Sequence, residues 1–244
     1  MLDLTNGIEN SESIIEGFRR DGQHTKERNM WLIERSAPTP SEKEIKENVP
    51  FMQGSYDFSM ILGGRVYDNR PLSYVFEIIN QDYHNRKHVQ TSLENWLMRS
   101  GYEPLYDDHA KGYYYIAKCT SVEVSDSSGG LSVAVEFDAY PFKISELHEG
   151  NDIWDTFNFL LDVAQTTKFD VNGSEKIVLY NVGLNNLNPT IKASASMEIV
   201  NGGVTYIVPA GETKSYEIIV GIGENSMTIK GNGTLEFLFH KELI

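Results

Sequence analysis

The chain has 244 residues, enough for one large domain or two modest ones, and its 40% hydrophobic and 23% charged residues exclude a disordered chain. The net charge of −14 argues against sequence-independent nucleic-acid binding and against a polybasic membrane patch, because an acidic surface repels phosphate. One cysteine, Cys119, cannot form an internal disulfide or a cysteine-based zinc site, and it reads as a small apolar side chain on a strand.

In chain order, the start MLDLTNGIENSES has neither the basic nor the apolar region of a secretory signal, and nothing later is long and apolar enough for a membrane span. No membrane anchor is therefore expected. Ile14 and Ile15 are expected to begin a strand, and Met30–Ile33 form a second apolar run that Pro38 and Pro40 end. The charged stretch 41–50 reads as an exposed excursion. Residues 50–64 are apolar for a loop: Phe51, Met52, Tyr56, Phe58, Met60, Ile61 and Leu62 crowd around Gly54 and Gly63-Gly64. A monomer rarely exposes so much apolar surface, so these seven residues are the candidate subunit-interface loop. The competing reading is a strand folded back over its own barrel. Arg70 and Asp57 are candidate ion-pair partners in both.

Leu72, Tyr74, Phe76 and Ile78 share one face at period two and predict a strand over 72–79. Val89, Leu93, Trp96 and Leu97 recur at helical spacing and predict a helix over 82–100, with Asp82 as N-cap and Gly101 as C-terminal stop. Residues 112–125 and 131–139 read as a β-hairpin. Pro141 closes it, and the polar stretch 145–152 reads as a linker. Beyond it, β-prone runs at 177–183, 190–200, 203–209, 215–221, 226–231 and 234–239 predict an antiparallel sandwich, with turns at Asn201-Gly202-Gly203 and Gly231-Asn232-Gly233 among others. The expected fold is mainly β with one clear helix. Its domains are a ring-forming β-barrel-like unit (1–144), a linker (145–152) and a β-sandwich (153–244).

No motif assembles a catalytic site. His84 and His88 stand four apart, as in H-E-x-x-H, but Asn85, Arg86 and Lys87 replace the glutamate context, so both read as solvated. Asp107-Asp108-His109 reads as a solvated turn. DVNGSE (170–175) fails the calcium-loop spacing, and GIGENS (221–226) lacks the third glycine of a dinucleotide loop. No catalytic residue, metal or cofactor is expected, and the protein is read as non-enzymatic. Tyr206 is the candidate sugar platform of the sandwich, since all three tryptophans (Trp31, Trp96, Trp154) precede that region.

One order of features resembles a known family. Gly54-Ser55-Tyr56-Asp57-Phe58-Ser59 is followed by Tyr67-x-Asn69-Arg70-x-Leu72-x-Tyr74-x-Phe76, the helix ending Trp96-Leu97, then Leu105-Tyr106-Asp107, Gly112-Tyr113-Tyr114-Tyr115, and a strand ending Tyr140-Pro141-Phe142. Over about residues 30–143 this resembles the N-terminal domain of siphophage distal tail (Dit) proteins. The later half, closing on GNGTLEFLFHKEL, resembles the galectin-like or carbohydrate-module-like sandwich of that family. The loop 50–55 reads PFMQGS, where the family is often closer to Pro-Gly-Arg-Asp-Gly. The resemblance implies a homo-hexameric ring in the virion, assembled in the host bacterial cytoplasm and sited at the tail tip. It also implies a tail tube protein on one face, a tail-associated lysin or fibre hub on the other, and receptor-binding proteins around the C-terminal domains. DNA then passes through an acidic channel without specific binding. A carbohydrate-binding accessory protein acting through the sandwich is the alternative.

Overall fold

The computed structural model describes residues 16–61, 64–79, 82–127, 129–151 and 158–244. Ile14, Ile15, Leu62 and Trp154 lie outside them. The chain divides into two compact units, Met1–Pro141 and Phe142–Ile244.

The first unit contains β1 (Phe18–Arg20), β2 (Gln23–His24), β3 (Trp31–Ser36), β4 (Lys46–Glu47), β5 (Tyr56–Asp57), β6 (Arg70–Ile79), α1 (Arg86–Leu97), β7 (Glu103–Asp107), β8 (Tyr113–Ser127) and β9 (Gly130–Ala139). Seven strands pair antiparallel in the order β2-β1-β7-β8-β9-β6-β3. Period-two burial along β6 sends Leu72, Tyr74, Phe76 and Ile78 inward, as the sequence predicts. The sheet is strongly curled. A flat sheet would hold β7 and β3 about 19 Å apart, four inter-strand steps of about 4.8 Å. Instead, Arg35 Nε on β3 donates to Asp107 Oδ2 on β7 at 2.5 Å, and Tyr74 Oη on β6 donates to the same oxygen at 2.9 Å.

The Phe18 ring sits at the centre of this curl, with centroids 5.0 Å from Tyr74, 5.3 Å from Phe137, 5.7 Å from Phe76 and 6.1 Å from Trp96. Helix α1 presents Leu93, Trp96 and Leu97 to this core, and Arg28 lies over the outer face of the Trp96 ring at 4.5 Å. The helix is shorter than 82–100. Asn85 is its N-cap, without a side-chain hydrogen bond, and Met98 is its C-cap. Asp82 lies before the helix, in the turn that leads into it, and Gly101 does not take the left-handed conformation of a C-terminal stop.

The second unit contains β10 (Lys143–Ser145), β11 (Lys168–Asn181), β12 (Thr190–Ala193), β13 (Met197–Asn201), β14 (Val204–Val208), β15 (Gly211–Lys214), β16 (Gly223–Leu238) and β17 (Glu242–Leu243). Its frame is one long antiparallel ladder, β11 against β16 from Lys168↔Glu236 to Asn181↔Gly223. The other edge of β16 is shared: its N-terminal half pairs with β13, which carries β14, and its C-terminal half pairs with β12, which carries β15.

Gly231 and Gly233 separate the two halves, at φ 137° and 143°. A Cβ on Gly233 would lie 2.4 Å from Ser194 Oγ, so only glycine fits the bend. Gly231-Asn232-Gly233 is thus a bend within one strand, not a turn between two. It folds a single sheet so that both halves feed one core, with Ile199 and Val208 from one side and Ile191 and Phe237 from the other. The predicted strand 215–221 is a loop, and the strand facing β12 is 211–214 instead.

The expected linker is folded into this unit over its described residues. Ser145 N–H donates to the Lys241 carbonyl, the Glu149 carboxylate lies 4.0 Å from Lys241 Nζ, and both side chains are buried.

Candidate assembly surface

Between β3 and β6 the chain runs out into a long hairpin arm. Lys43 N–H donates to the Val66 carbonyl and Asp68 N–H to the Ser41 carbonyl, extending the β3–β6 pairing outward. Further out, β4 pairs with β5 in the register Lys46↔Asp57 and Glu47↔Tyr56. Ser59 ties this part together: its Oγ accepts from Ile45 N–H at 2.8 Å, and its own N–H donates to Asp57 Oδ1 at 2.9 Å. Gly54, at φ 81°, turns the chain at the tip.

The two sides of the arm differ in chemistry. The outgoing side, SEKEIKEN (41–48), is mostly charged, with ion pairs Lys46–Glu44 and Arg65–Glu42. The tip and returning side are apolar. Phe51 is fully exposed, Ile61 is 73% exposed, Met60 56%, Tyr56 54% and Phe58 40%. Met52 is half-buried, and Leu62 lies outside the described residues. None of the described arm residues joins the core of its own unit.

Arg70 clasps the root of the arm. Its buried guanidinium donates to the carbonyls of Ala37 at 3.1 Å, Pro38 at 2.6 Å and Pro141 at 3.3 Å, and it lies over the Tyr115 ring at 5.3 Å. Burial, helped by the nearby charge of Arg35, lowers its pKa. Asp57 is taken up by Ser59, so Arg70 and Asp57 are not an ion pair. Beside Arg70, Asn69 Nδ2 donates to Asp138 Oδ2 at 2.7 Å, and Tyr102 Oη donates to the same oxygen.

The other sequence candidates fall into place around this surface. His84 lies in the turn before α1 and His88 on the helix, and both are exposed. Asp107-Asp108-His109 is not a solvated turn. Asp107 is buried and also accepts from His109 N–H, while Asp108 Oδ2 accepts from Gly17 N–H and meets His24 Nε2 at 2.8 Å. Burial and the charge and hydrogen bond of Asp107 push the Tyr74 hydroxyl well above its ordinary value. The buried Cys119 thiol is raised to about 11, chiefly by desolvation, which keeps it protonated at neutral pH. DVNGSE lies inside the β11 ladder and GIGENS leads into β16. Tyr206, on β14, is half-buried and packs against the core of its own unit. No cluster of three or more metal-ligating side chains occurs among the described residues, and no described helix is long and apolar enough to cross a membrane.

Sequence reasoning found the apolar arm but missed Asn69, Tyr102 and Asp138 as its stitching. The polar dipeptide Asn69-Arg70 at the head of an otherwise apolar strand was the available signal.

No protein-family model matches the chain, and no curated protein is similar to it. Among solved structures, the chain is similar to the Dit protein of SPP1, described as a paradigm of the hub adsorption apparatus in phages that infect Gram-positive bacteria. The two superpose with a TM-score of 0.64 at 12% sequence identity, over 94% of this chain and 100% of that one. The fold of this chain is the fold of the SPP1 Dit protein.

Proposed function

We propose that this chain is a structural, non-enzymatic protein of a long-tailed phage virion. Six copies close into a ring at the tail tip, and the ring joins the tail tube to the host-adhesion device. The tail tube protein docks on one face and a lysin or fibre hub on the other. DNA passes through the ring, repelled by its acidic wall.

The observation that carries this reading is the arm, which holds Phe51, Tyr56, Phe58, Met60 and Ile61 in solvent and outside its own core. A closed ring needs a patch on each copy and a different, complementary patch on the next. A braced hairpin with one charged and one apolar side supplies the first patch: the apolar side laps the neighbour and the charged side stays wet. The shared Dit fold supports the place in the particle.

Phe58→Asp is the test. The residue is 40% exposed in the single chain, so the fold should survive, whereas a carboxylate buried in the lap is costly. The variant is expected to melt like the wild type and to form no rings by negative-stain microscopy. Rings of normal size would remove the arm from the interface.

A further inference from the structure

At one end of the second unit, two loops are built as a rigid platform. Loop 182–189 follows β11 and loop 215–222 precedes β16, so the two lie where Asn181 pairs with Gly223. They join in a two-way bridge: Leu187 N–H donates to the Val220 carbonyl at 3.0 Å and Val220 N–H to the Leu187 carbonyl at 2.8 Å. Four asparagines complete the brace. Asn181, 1% exposed, donates to the carbonyls of Asn185 and Val220. Asn188 Nδ2 reaches the carbonyls of Ser215, Tyr216 and Ile218, at 3.4, 3.1 and 3.1 Å. Asn186 Oδ1 accepts from Ile222 N–H, and Asn225 both accepts from and donates to the backbone of Gly221. Beneath, Leu187, Ile218 and Val220 are buried in the core.

This bracing holds apolar side chains outward. Tyr216 is 83% exposed, Ile222 57%, Leu184 49% and Ile219 42%. Nothing in the fold needs them there, because the neighbouring Ile218 and Val220 already fill the core. Loops pinned by so many side-chain hydrogen bonds lose little entropy on meeting a partner, which is the property of a binding surface. Glu217 and Glu224 stand beside the patch and are exposed, and neither has a cation partner among the described residues. Two such acidic patches repel one another, so a second copy of this chain is a poor occupant and a basic rim a good one.

We propose that loops 182–189 and 215–222 form a preorganised docking platform for a second protein, one that presents an apolar knob ringed by Lys and Arg. The inference rests on the tail-tip reading only in taking that protein to be another component of the tail tip.

The test immobilises the full-length chain and titrates it with the purified fibre, lysin and receptor-binding proteins encoded with it. One of these binds, and Ile222→Asp weakens binding about tenfold or more, as for a central apolar anchor. The pair Glu217→Lys with Glu224→Lys weakens it as well, and added salt lowers the wild-type affinity. Ile219→Asp is the second apolar variant, and the melting temperature of each variant checks folding. The platform is overturned if none of these proteins binds, or if binding survives both Ile222→Asp and the double charge reversal. Particle mass is read on the same samples. A wild-type protein that binds but forms no ring would sink the arm reading and leave the platform standing; a wild-type ring that binds none of them would do the reverse.

Discussion

Arg35 on β3 and Asp107 on β7 meet at 2.5 Å across a sheet in which three strands lie between them. The bond is a lock on the curl rather than a surface ornament, because Asp107 is 4% exposed and also accepts from Tyr74. The pairing raises the arginine pKa: burial works against its charge, and the hydrogen bond and charge of Asp107 prevail.

Removing Asp107 leaves a guanidinium and a phenol without their acceptor. Asp107→Ala is therefore expected to lower stability by about 3 kcal/mol, as when one partner of a buried pair is removed. Tyr74→Phe should lose only about 1 kcal/mol, one hydrogen bond. Urea unfolding of the two variants checks both values, and equal losses would show that Asp107 serves Tyr74 alone.

The glycine bend of β16 gives a contrast within one ladder. Gly233→Ala should destabilise by about 2–3 kcal/mol, because the new Cβ meets Ser194 at a positive φ. Gly173→Ala, at φ 84° with open space around it, should cost about 1 kcal/mol from backbone strain alone. Thermal melts of the pair decide whether close approach adds to conformation here.

Arg70→Lys keeps the charge but loses the planar fork that spans the carbonyls of Ala37, Pro38 and Pro141. Limited proteolysis should then cut residues 41–68 several-fold faster than in the wild type, with the rest of the first unit still resistant. Unchanged cleavage would show that the arm is held by its own pairing and not by the clasp.

Cys119 supplies a pH dependence. Its folded pKa of about 11 exceeds the ordinary 9.0, so the unfolded chain ionises first. Its contribution is fully present below about pH 9 and is lost as pH rises through 11, up to about 2–3 kcal/mol. Urea midpoints of wild type and Cys119→Ala should converge or cross between pH 8 and pH 11. Curves that stay parallel would contradict the shift.

How much of this was legible in the sequence depended on whether local pattern or distant partners set each feature. The strand at 72–79, the hairpin after it and the Leu93–Trp96–Leu97 stripe were legible because period two and period 3.6 are local properties. The apolar arm was legible for the same reason. Asp107 was not, since its partners Arg35 and Tyr74 lie 72 and 33 residues away and a pair of aspartates looks like a turn. Gly231-Asn232-Gly233 carries the letters of a turn, yet Asn172 and Gly173 across the ladder let the strand run through. Residues 215–221 alternate like a strand because Ile218 and Val220 plug the core, but Asn188 binds the backbone carbonyls of Ser215, Tyr216 and Ile218, giving that stretch a loop's bonding.

The central claim is that the arm closes six copies into a ring. Its most direct test is the particle mass of the purified full-length protein, measured by mass photometry across a concentration series. A ring closed by the arm gives a single species near six times 27.6 kDa, about 166 kDa, that the Phe58→Asp substitution abolishes. A wild-type protein that stays at 27.6 kDa at every concentration would contradict it.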